Sequence, residues 1–598
     1  MNDVIQNRLK DLRSTMMQQG LSACYISTAD YHLSEYVGDH FKFRAWLSGF
    51  TGSAGTLVVL KSKAGLWTDG RYFLQAENEL AGTGIDLYRM GISGVPSIEE
   101  FLTDELSPGD VVALDGRTIS AATGMQMSRA LTAKGITLAL ADLAENVWQN
   151  RPPMADSIAH VYAEQFSGRS TTEKLSDVRA AMEAHHADTH ILCMLDEIAW
   201  LFNFRGADVA YNPVLLSYAV VEKDAVHLFA DSSKLSPEVV KALQQVNTII
   251  HPYNEIYEYV SHLDSTRSVM VMPERLNYTL YQGIEQTGAK IVIAANPCME
   301  LKSVKNPVEI SNTRYAHIKD GAAVVRFMKW LKENVPSGQL TEASAAAYLD
   351  QLRRDIPGNR GLSFTTISSY SVHGAICHYA VSEESNIFLA PHGLFLVDSG
   401  GHYDEGTTDI TRTFALGPLT PAEKEHFALV LRCMLNLMYA QFPEGVFFHN
   451  LDVLARLPLW ERGLDFRHGT GHGVGHLLNV HEGPNNFYWK TREGTQPTVL
   501  KPGMITTDEP GLYIDGSHGI RLENELLCVE RQNTEYGRFL GFDCLTLAPI
   551  DLDAIDPSLL TEVDRQRLND YHQAVYHTLA PELTPEEQAW LKTYTRAI

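Results

Sequence analysis

The sequence predicts two related α/β modules followed by a larger module of mixed α and β structure with much antiparallel strand. Three observations carry this expectation. First, 598 residues are too many for one ordinary hydrophobic core and suggest about three or four domains. Second, one plan occurs twice: RLKDLRSTMMQQGLSACYIST, Arg8 to Thr28, reads as an amphipathic helix running into a strand, and KLSDVRAAMEAHHADTHILCML, Lys174 to Leu195, reads the same way. Third, the pattern changes near Leu301, where long helical stretches alternate with short strand-like runs.

Each copy of the repeated plan continues into an aromatic segment, FRAWLSGF in one and DEIAWLFNFRG in the other, and then into β-rich pieces, GTLVVL and VLLSYAVV. The modules are therefore expected at 1–155 and 156–305, with RPPMADS, Arg151 to Ser157, supplying the turn residues of a linker. The third module, 306–598, opens on the helical run NPVEISNTRYAHIKDGAAVVRFMKWLKENV, and a second helix follows Thr341. Thr420-Pro421-Ala422-Glu423 and Thr584-Pro585-Glu586-Glu587 each combine a capping box with proline at the first helical position. LFLVD, TTDITRTFAL, MITTDEP and RLENELLCVE read as strands, and the last stretch is a helical extension.

Composition narrows the function classes. Hydrophobic residues make up 44% and charged residues 20%, an ordinary globular balance. The formal charge, 49 − 73 = −24, disfavours nucleic acid and anionic membrane as partners, because both need a basic surface. The seven cysteines are scattered and form no C-x-x-C pair, so a disulfide framework and a structural zinc site are both disfavoured and a reducing compartment is expected. The N-terminus lacks the apolar core of a signal peptide and no stretch approaches the roughly 20 apolar residues of a membrane span, so a cytoplasmic location is expected. The lone sequon at Asn277 reads as chance.

Chemistry concentrates in the third module. Asp398 ends GLFLVD, Asp409 follows 11 residues later in TTDITRTF, His472 sits in RHGTGHGVGHLLN, Glu509 in TTDEPG and Glu523 in IRLENELL. Taken singly, each reads as structural. Asp398 before Ser-Gly could be a turn residue. Asp409, Thr411 and Thr413 share a strand face that could be half-exposed, and of Glu523 and Glu525, also on one face, one is expected in solvent. Taken together, five such groups in apolar strand-like contexts would be costly to bury unpaired. Four carboxylates and one imidazole form a hard, oxygen-rich donor set for a dinuclear divalent centre, which suits manganese better than a thiolate-type zinc site. His468, His472 and His476 recur every four residues between glycines. Four glycines would each cost a helix about 1 kcal/mol, so an extended run with its histidines on one face is expected. His378 in VHGAICHYA and His481 in LNVHEGP add two candidates near these groups. GxSxG, HExxH and phosphate-loop patterns are not found.

DSG…TTDITRT, HGTGHGVGHLLNVHEGP, TTDEPG and IRLEN closely resemble the pita-bread metallopeptidases. With ADYHLSEYV, SGFTGSAGTLVV, WTDGRYFLQAE, YNPVLLSYAVV and the tail from Ser558, the chain resembles the long, three-domain aminopeptidase P group. The resemblance implies two creatinase-like N-terminal α/β domains before a pita-bread catalytic domain. It implies two divalent ions, manganese foremost with zinc or cobalt as alternatives, held by Asp398, Asp409, His472, Glu509 and Glu523. It also implies cleavage of the bond before a proline at the second position, with Glu509 passing the proton and His378 and His481 at the substrate. His468, Arg71 of WTDGRYF and Arg521 are implied as substrate-side or supporting residues, and a homodimer is implied. Prolidase, which shares the ligands but cleaves dipeptides, is the nearest alternative. A non-catalytic pita-bread binding module and a creatinase-like, metal-free hydrolase are the others, and both would be expected to lose the ligands that this chain keeps.

Overall fold

The computed structural model describes residues 2–490 and 497–598. They divide into two compact units, Met1–Glu164 with Arg169–Cys298, and Gln165–Gly168 with Met299–Ile598.

In the first unit, α1 (Asn2–Gln18) buries Ile5, Leu9, Leu12 and Met16, a stripe at helical spacing. It leads into β1 (Ala23–Ser27). With β2 (Thr56–Leu60), β3 (Ala64–Thr68), β4 (Asp86–Arg89), β5 (Val111–Leu114) and β6 (Thr137–Leu140), this strand forms a six-stranded sheet of order β4-β3-β2-β1-β5-β6. Leu57 to Leu60 of GTLVVL are all apolar because both faces of the sheet are covered. Leu57 and Val59 pack with the α1 stripe, while Val58 and Leu60 pack on the other side with Phe101, Met127 and Leu131.

The second copy repeats this plan strand for strand. α2 (Thr171–Ala184) leads into β7 (Thr189–Leu192). The sheet then adds β8 (Ser217–Glu222), β9 (Val226–Ala230), β10 (Thr248–His251), β11 (Ser268–Val271) and β12 (Lys290–Ile293), in the order β10-β9-β8-β7-β11-β12. Parallel and antiparallel pairings match in the two sheets: the first strand runs antiparallel to its hairpin partner (β1/β2, β7/β8) and parallel to the strand after the crossover (β1/β5, β7/β11). Asn277 of the sequon is fully buried; its amide donates to the Tyr31 carbonyl at 2.9 Å and its carbonyl caps the following helix. It has a structural task and no access to a glycan.

The second unit opens on α3 (Pro307–Asn334), capped by Asn306, and α4 (Glu342–Arg354), capped by Thr341. β13 (Ile367–Tyr370), β14 (Leu394–Ser399) and β15 (Ile410–Ala415) form an antiparallel sheet with β14 central. Then come α5 (Pro421–Met438), with the Thr420–Glu423 capping box in place, β16 (Gln441–Pro443) and α6 (Phe448–Trp460). β17 (Gly471–Gly473), β18 (Glu482–Phe487) and β19 (Ile505–Asp508) follow, with the hairpin of β20 (Gly511–Ile514) and β21 (His518–Arg521). β22 (Asn524–Thr534) and β23 (Gly537–Cys544) complete a second sheet of order β16-β23-β22-β19-β17-β18. Phe427, Leu431 and Leu435 of α5 join Leu526, Cys528 and Leu540 of this sheet in one core, which Leu568 and Val575 of α7 (Glu562–Leu579) close.

Two local expectations are corrected. The histidine–glycine run is not one extended segment: only Gly471–Gly473 is strand, because this strand is a short link between β18 and β19, and the three histidines serve separate surroundings. TTDITRTF is not half-exposed either. Every residue of β15 is buried, since Thr411 and Thr413 bond to Glu523 and Arg521 while Arg412, between them, reaches Ala548 and the Tyr571 hydroxyl of α7.

Next to Tyr571, His572 is fully buried and its Nε2 accepts the Ile550 N–H at 3.0 Å. Burial, helped by the Arg412 cation, pushes the imidazole down to about 3. The unfolded chain takes up this proton near pH 6.5 and the folded one does not, so stability falls as pH drops from about 6.5 toward about 3. Melting temperatures between pH 7.5 and 4.5 are expected to fall more steeply for the natural chain than for His572→Gln, which keeps an acceptor and does not titrate.

Candidate metal centre

The site is assembled by backbone pairing around β15. Asp398 lies near the end of β14, opposite Thr411 of β15 and Ile367 of β13. Asp409 immediately precedes β15, its N–H donating to Glu525 Oε1 at 2.8 Å. The other edge of β15 takes the 521–523 segment: the Glu523 N–H donates to the Thr411 carbonyl at 3.1 Å, and the Thr413 hydroxyl donates to the Arg521 carbonyl at 2.9 Å. His472 arrives on β17, where Gly471 and Gly473 are required: a Cβ would stand 1.8 Å from the Thr507 carbonyl oxygen at one and 2.2 Å from that of Glu482 at the other. Glu509, just past β19, is drawn in by its own N–H donating to the Thr470 carbonyl at 2.8 Å.

Donor atoms of Asp409, His472 and Glu523 lie within 4.8 Å of one another. His472 Nε2 stands 3.5 Å from Asp409 Oδ2 and 3.6 Å from Glu509 Oε1. Its Nδ1 lies 2.9 Å from the Gly473 carbonyl, so Nδ1 carries the proton and Nε2 presents a lone pair to the carboxylates. Asp398 Oδ2 accepts from Arg521 at 2.6 Å. Asp398 Oδ1 and Asp409 Oδ1 are buried with no hydrogen-bond partner among the described residues, and orphaned carboxylate oxygens of this kind are expensive unless a cation meets them.

Electrostatics point the same way. Burial, reinforced by Glu523, Asp398 and Glu509, holds the Asp409 carboxyl well above the usual range. Glu523 is raised by burial and then by Glu509 and Asp398. Burial, with Asp398 adding to it, pushes Glu509 up to about 7. Four carboxyls whose charges oppose one another in a largely buried site, with an imidazole among them, fit hard divalent cations.

The other predicted residues divide. His481 places its ring 4.3 Å from that of His472, edge to face. His378 follows Cys377, whose carbonyl and sulfur contact Arg521. His468 belongs to a chain the sequence did not reveal: its Nε2 accepts from Tyr513 at 2.9 Å, Tyr513 accepts from Arg521 at 2.7 Å, and Arg521 holds Asp398. Tyr513 is legible only afterwards, as the residue two past Gly511 on a strand leaving Glu509. His476 bonds Thr313 and the Phe166 carbonyl. Arg71 lies in the first unit, where Asp69 takes its guanidinium in two bonds of 2.8 Å. The expected solvent position for one of Glu523 and Glu525 is wrong: both are buried, because Glu525 is committed to the Asp409 N–H and to His317, 3.2 Å away.

Comparison with known proteins places this geometry. The chain is 38% identical over 609 residues to a protein of Aspergillus flavus named probable Xaa-Pro aminopeptidase P, covering 99% of this chain and 92% of that one. The chain belongs to the aminopeptidase P family. The model of metallopeptidase family M24 matches residues 311–530 and that of the C-terminal region of peptidase M24 matches 538–598. Creatinase/prolidase N-terminal domains match 8–151 and 150–309, so the duplicated sheets and the pita-bread module are those of the family. A fungal relative from Laccaria bicolor is 37% identical over 98% of this chain and 92% of its own. The X-prolyl aminopeptidase of Caenorhabditis elegans, described as a cytosolic enzyme with a di-nuclear active site, superposes with a TM-score of 0.95 at 34% identity, over 99% of this chain and all of that one.

Chelator-treated protein is expected to melt several degrees lower and to recover on addition of a divalent cation, since a ligand at a hundredfold its Kd adds about 2.7 kcal/mol. Asp409→Asn should abolish that recovery in differential scanning fluorimetry, and an unchanged rise would disprove the site.

Proposed function

We propose that this chain is an Xaa-Pro aminopeptidase that hydrolyses the first peptide bond of peptides with proline at the second position. The observation that carries it is the convergence of Asp409, His472 and Glu523, with Asp398 and Glu509 beside them, in a chain that matches aminopeptidase P over its full length. Residues 306–598 do the chemistry, and 1–155 and 156–305 are the two related modules that precede it.

Asp398, Asp409, His472, Glu509 and Glu523 would hold two divalent cations. The oxygen-rich set favours manganese over zinc or cobalt, and the di-nuclear centre described for the C. elegans enzyme supports a count of two. Bound there, the cations supply the Lewis acidity that polarises the scissile carbonyl and makes water a competent nucleophile at neutral pH. Glu509 accepts the proton of the attacking water and passes it to the proline nitrogen as the C–N bond breaks. His378 and His481 donate hydrogen bonds to the substrate and to the oxyanion of the tetrahedral intermediate. The chain His468–Tyr513–Arg521 keeps Asp398 oriented, because the guanidinium at its end donates to Asp398 Oδ2 at 2.6 Å. The free amine of the substrate binds at the carboxylate cluster, which confines cleavage to the N-terminus. Arg71 is assigned to substrate by its match to the family motif.

The enzyme acts as a homodimer in the cytoplasm. Val453, Leu457 and Trp460 form an exposed stripe on α6, with Trp489 edge-on to Trp460 at 6.1 Å, and such a stripe favours a covering surface over water. The C. elegans relative is described as cytosolic.

Arg-Pro-Pro peptide is expected to release free arginine in the presence of manganese, while an Xaa-Pro dipeptide is cleaved slowly or not at all. The reverse preference, read by mass spectrometry, would mean prolidase. His481→Ala should keep both metals and lose about 10²–10³-fold in kcat; metal loss would instead make His481 a ligand. Trp460→Glu should convert the dimer to monomer in light scattering, and an unchanged mass would remove this face as the interface.

A further inference from the structure

Two lysines ahead of α3 reach the neighbourhood of His481. Residues 302–305 end a short helix and run alongside the start of β19: Val304 forms an antiparallel bridge with Met504, and the Lys305 N–H donates to the Gly503 carbonyl at 2.9 Å. Gly503 is glycine for cause, with φ +95° and a would-be Cβ 2.9 Å from the Lys305 carbonyl oxygen. In this register both ammonium groups point at one carboxylate. Lys302 Nζ donates to Glu482 Oε2 at 2.8 Å, Lys305 Nζ donates to Glu482 Oε1, and Lys305 Nζ also donates to the Lys302 carbonyl at 2.8 Å. All three side chains are buried.

Glu482 directly follows His481 and opens β18, opposite Gly473. Glu482 turns toward the lysines, and the ring of His481, the residue before it, lies 4.3 Å from that of His472. The backbone ladder gives little help. The pairing jumps from Gly473↔Glu482 to His472↔Asn486, leaving Gly483, Pro484 and Asn485 outside the register. Stability alone does not explain the arrangement either, since apolar residues of similar volume are often as stable as a buried ion pair. What two ammonium groups on one carboxylate do supply is a fixed orientation.

We infer that Lys302 and Lys305 are positioning residues that act through Glu482 to aim the His481 imidazole at the reaction centre. The lysines lie outside the stretch matched by the M24 model, which starts at residue 311, and inside the one matched by the creatinase/prolidase N-terminal domain, 150–309. The segment that joins the N-terminal half to the catalytic module is thus a working part of the site. This rests on the aminopeptidase reading and on the role given there to His481.

The test is a double-mutant cycle in the full-length, manganese-loaded enzyme, with metal content and melting temperature measured beside kcat and KM on a proline-second tripeptide. Lys305→Met is expected to lower kcat about ten- to a hundredfold, the scale on which a misplaced group costs rate, with KM little changed and both metals retained. Lys305→Arg should recover most of the rate. In a His481→Ala background Lys305→Met should cost nothing further. Combining Lys302→Met, Lys305→Met and Glu482→Gln, which removes all three buried charges together, should restore the melting temperature without restoring kcat. The inference is overturned by wild-type kcat in Lys305→Met, by an equal loss in the His481→Ala background, or by rate returning together with stability in the triple variant. Should Lys305→Met fail to fold, the triple variant and Lys302→Met give the same comparison. A natural enzyme inactive on the tripeptide would instead defeat the underlying functional reading.

Discussion

Like charges forced together away from water are the constraint on which the catalytic unit is built. Asp398, Asp409, Glu509 and Glu523 converge behind strands that exclude solvent, and burial pushes the carboxyls of Asp409, Glu509 and Glu523 toward the neutral form. A fold that only had to be stable would not gather them. Nearly every polar neighbour answers to that tension. Arg521 neutralises Asp398, Glu525 ties down the Asp409 backbone and the Thr411 hydroxyl holds Glu523. Among the described residues the Oδ1 atoms of Asp398 and Asp409 keep no hydrogen-bond partner, and buried oxygens of this kind suit a cation.

The surrounding structure reads as a means of holding that geometry still. Arg412 is buried, and its guanidinium donates to the carbonyls of Glu523 and Ala548, to Asn524 Oδ1 and to the Tyr571 hydroxyl. One side chain therefore joins the strand before the site, the strand after it and the C-terminal helix. The helical extension beyond residue 560 is a buttress for Glu523 rather than an appendage. The same logic governs Glu525, whose second oxygen stands 3.2 Å from His317 of α3. Charges placed behind the donors cost desolvation energy, and that cost is accepted where orientation matters to fractions of an ångström.

The sequence carried the local half of this design. Helix caps at Thr420 and Thr584 were legible because a cap is a contact between residues three apart, and the duplicated sheets because helix and strand periods repeat along the chain. The five candidate donors stand out as a set because each charge stands in an apolar run. Long-range partners were not legible. Glu525 looks like a solvent-facing strand residue until Asp409, 116 positions away, is seen to need it. Thr411 looks like ordinary strand composition until Glu523 is beside it. Tyr513 carries no local mark at all, since its role comes from His468, in the loop before β17, and Arg521, on β21. The histidine run misled for the opposite reason: its period of four is real, but only three of its residues are extended, so equal spacing did not mean a shared face.

Glu482 shows how far such reasoning extends once contacts are known. In the sequence it is the second residue of HEGP, readable as a failed zinc motif and nothing more. In the fold it is the point at which a segment from before the catalytic module grips the strand that presents His481. A buried carboxylate between two ammonium groups has few orientations open to it, whereas a β-ladder with three residues out of register leaves its strand many. The side-chain clamp is therefore stiffer than the ladder. It follows that an isolated M24 module could retain every metal donor and still lack a correctly aimed imidazole, because the groups that aim it precede the module in the chain.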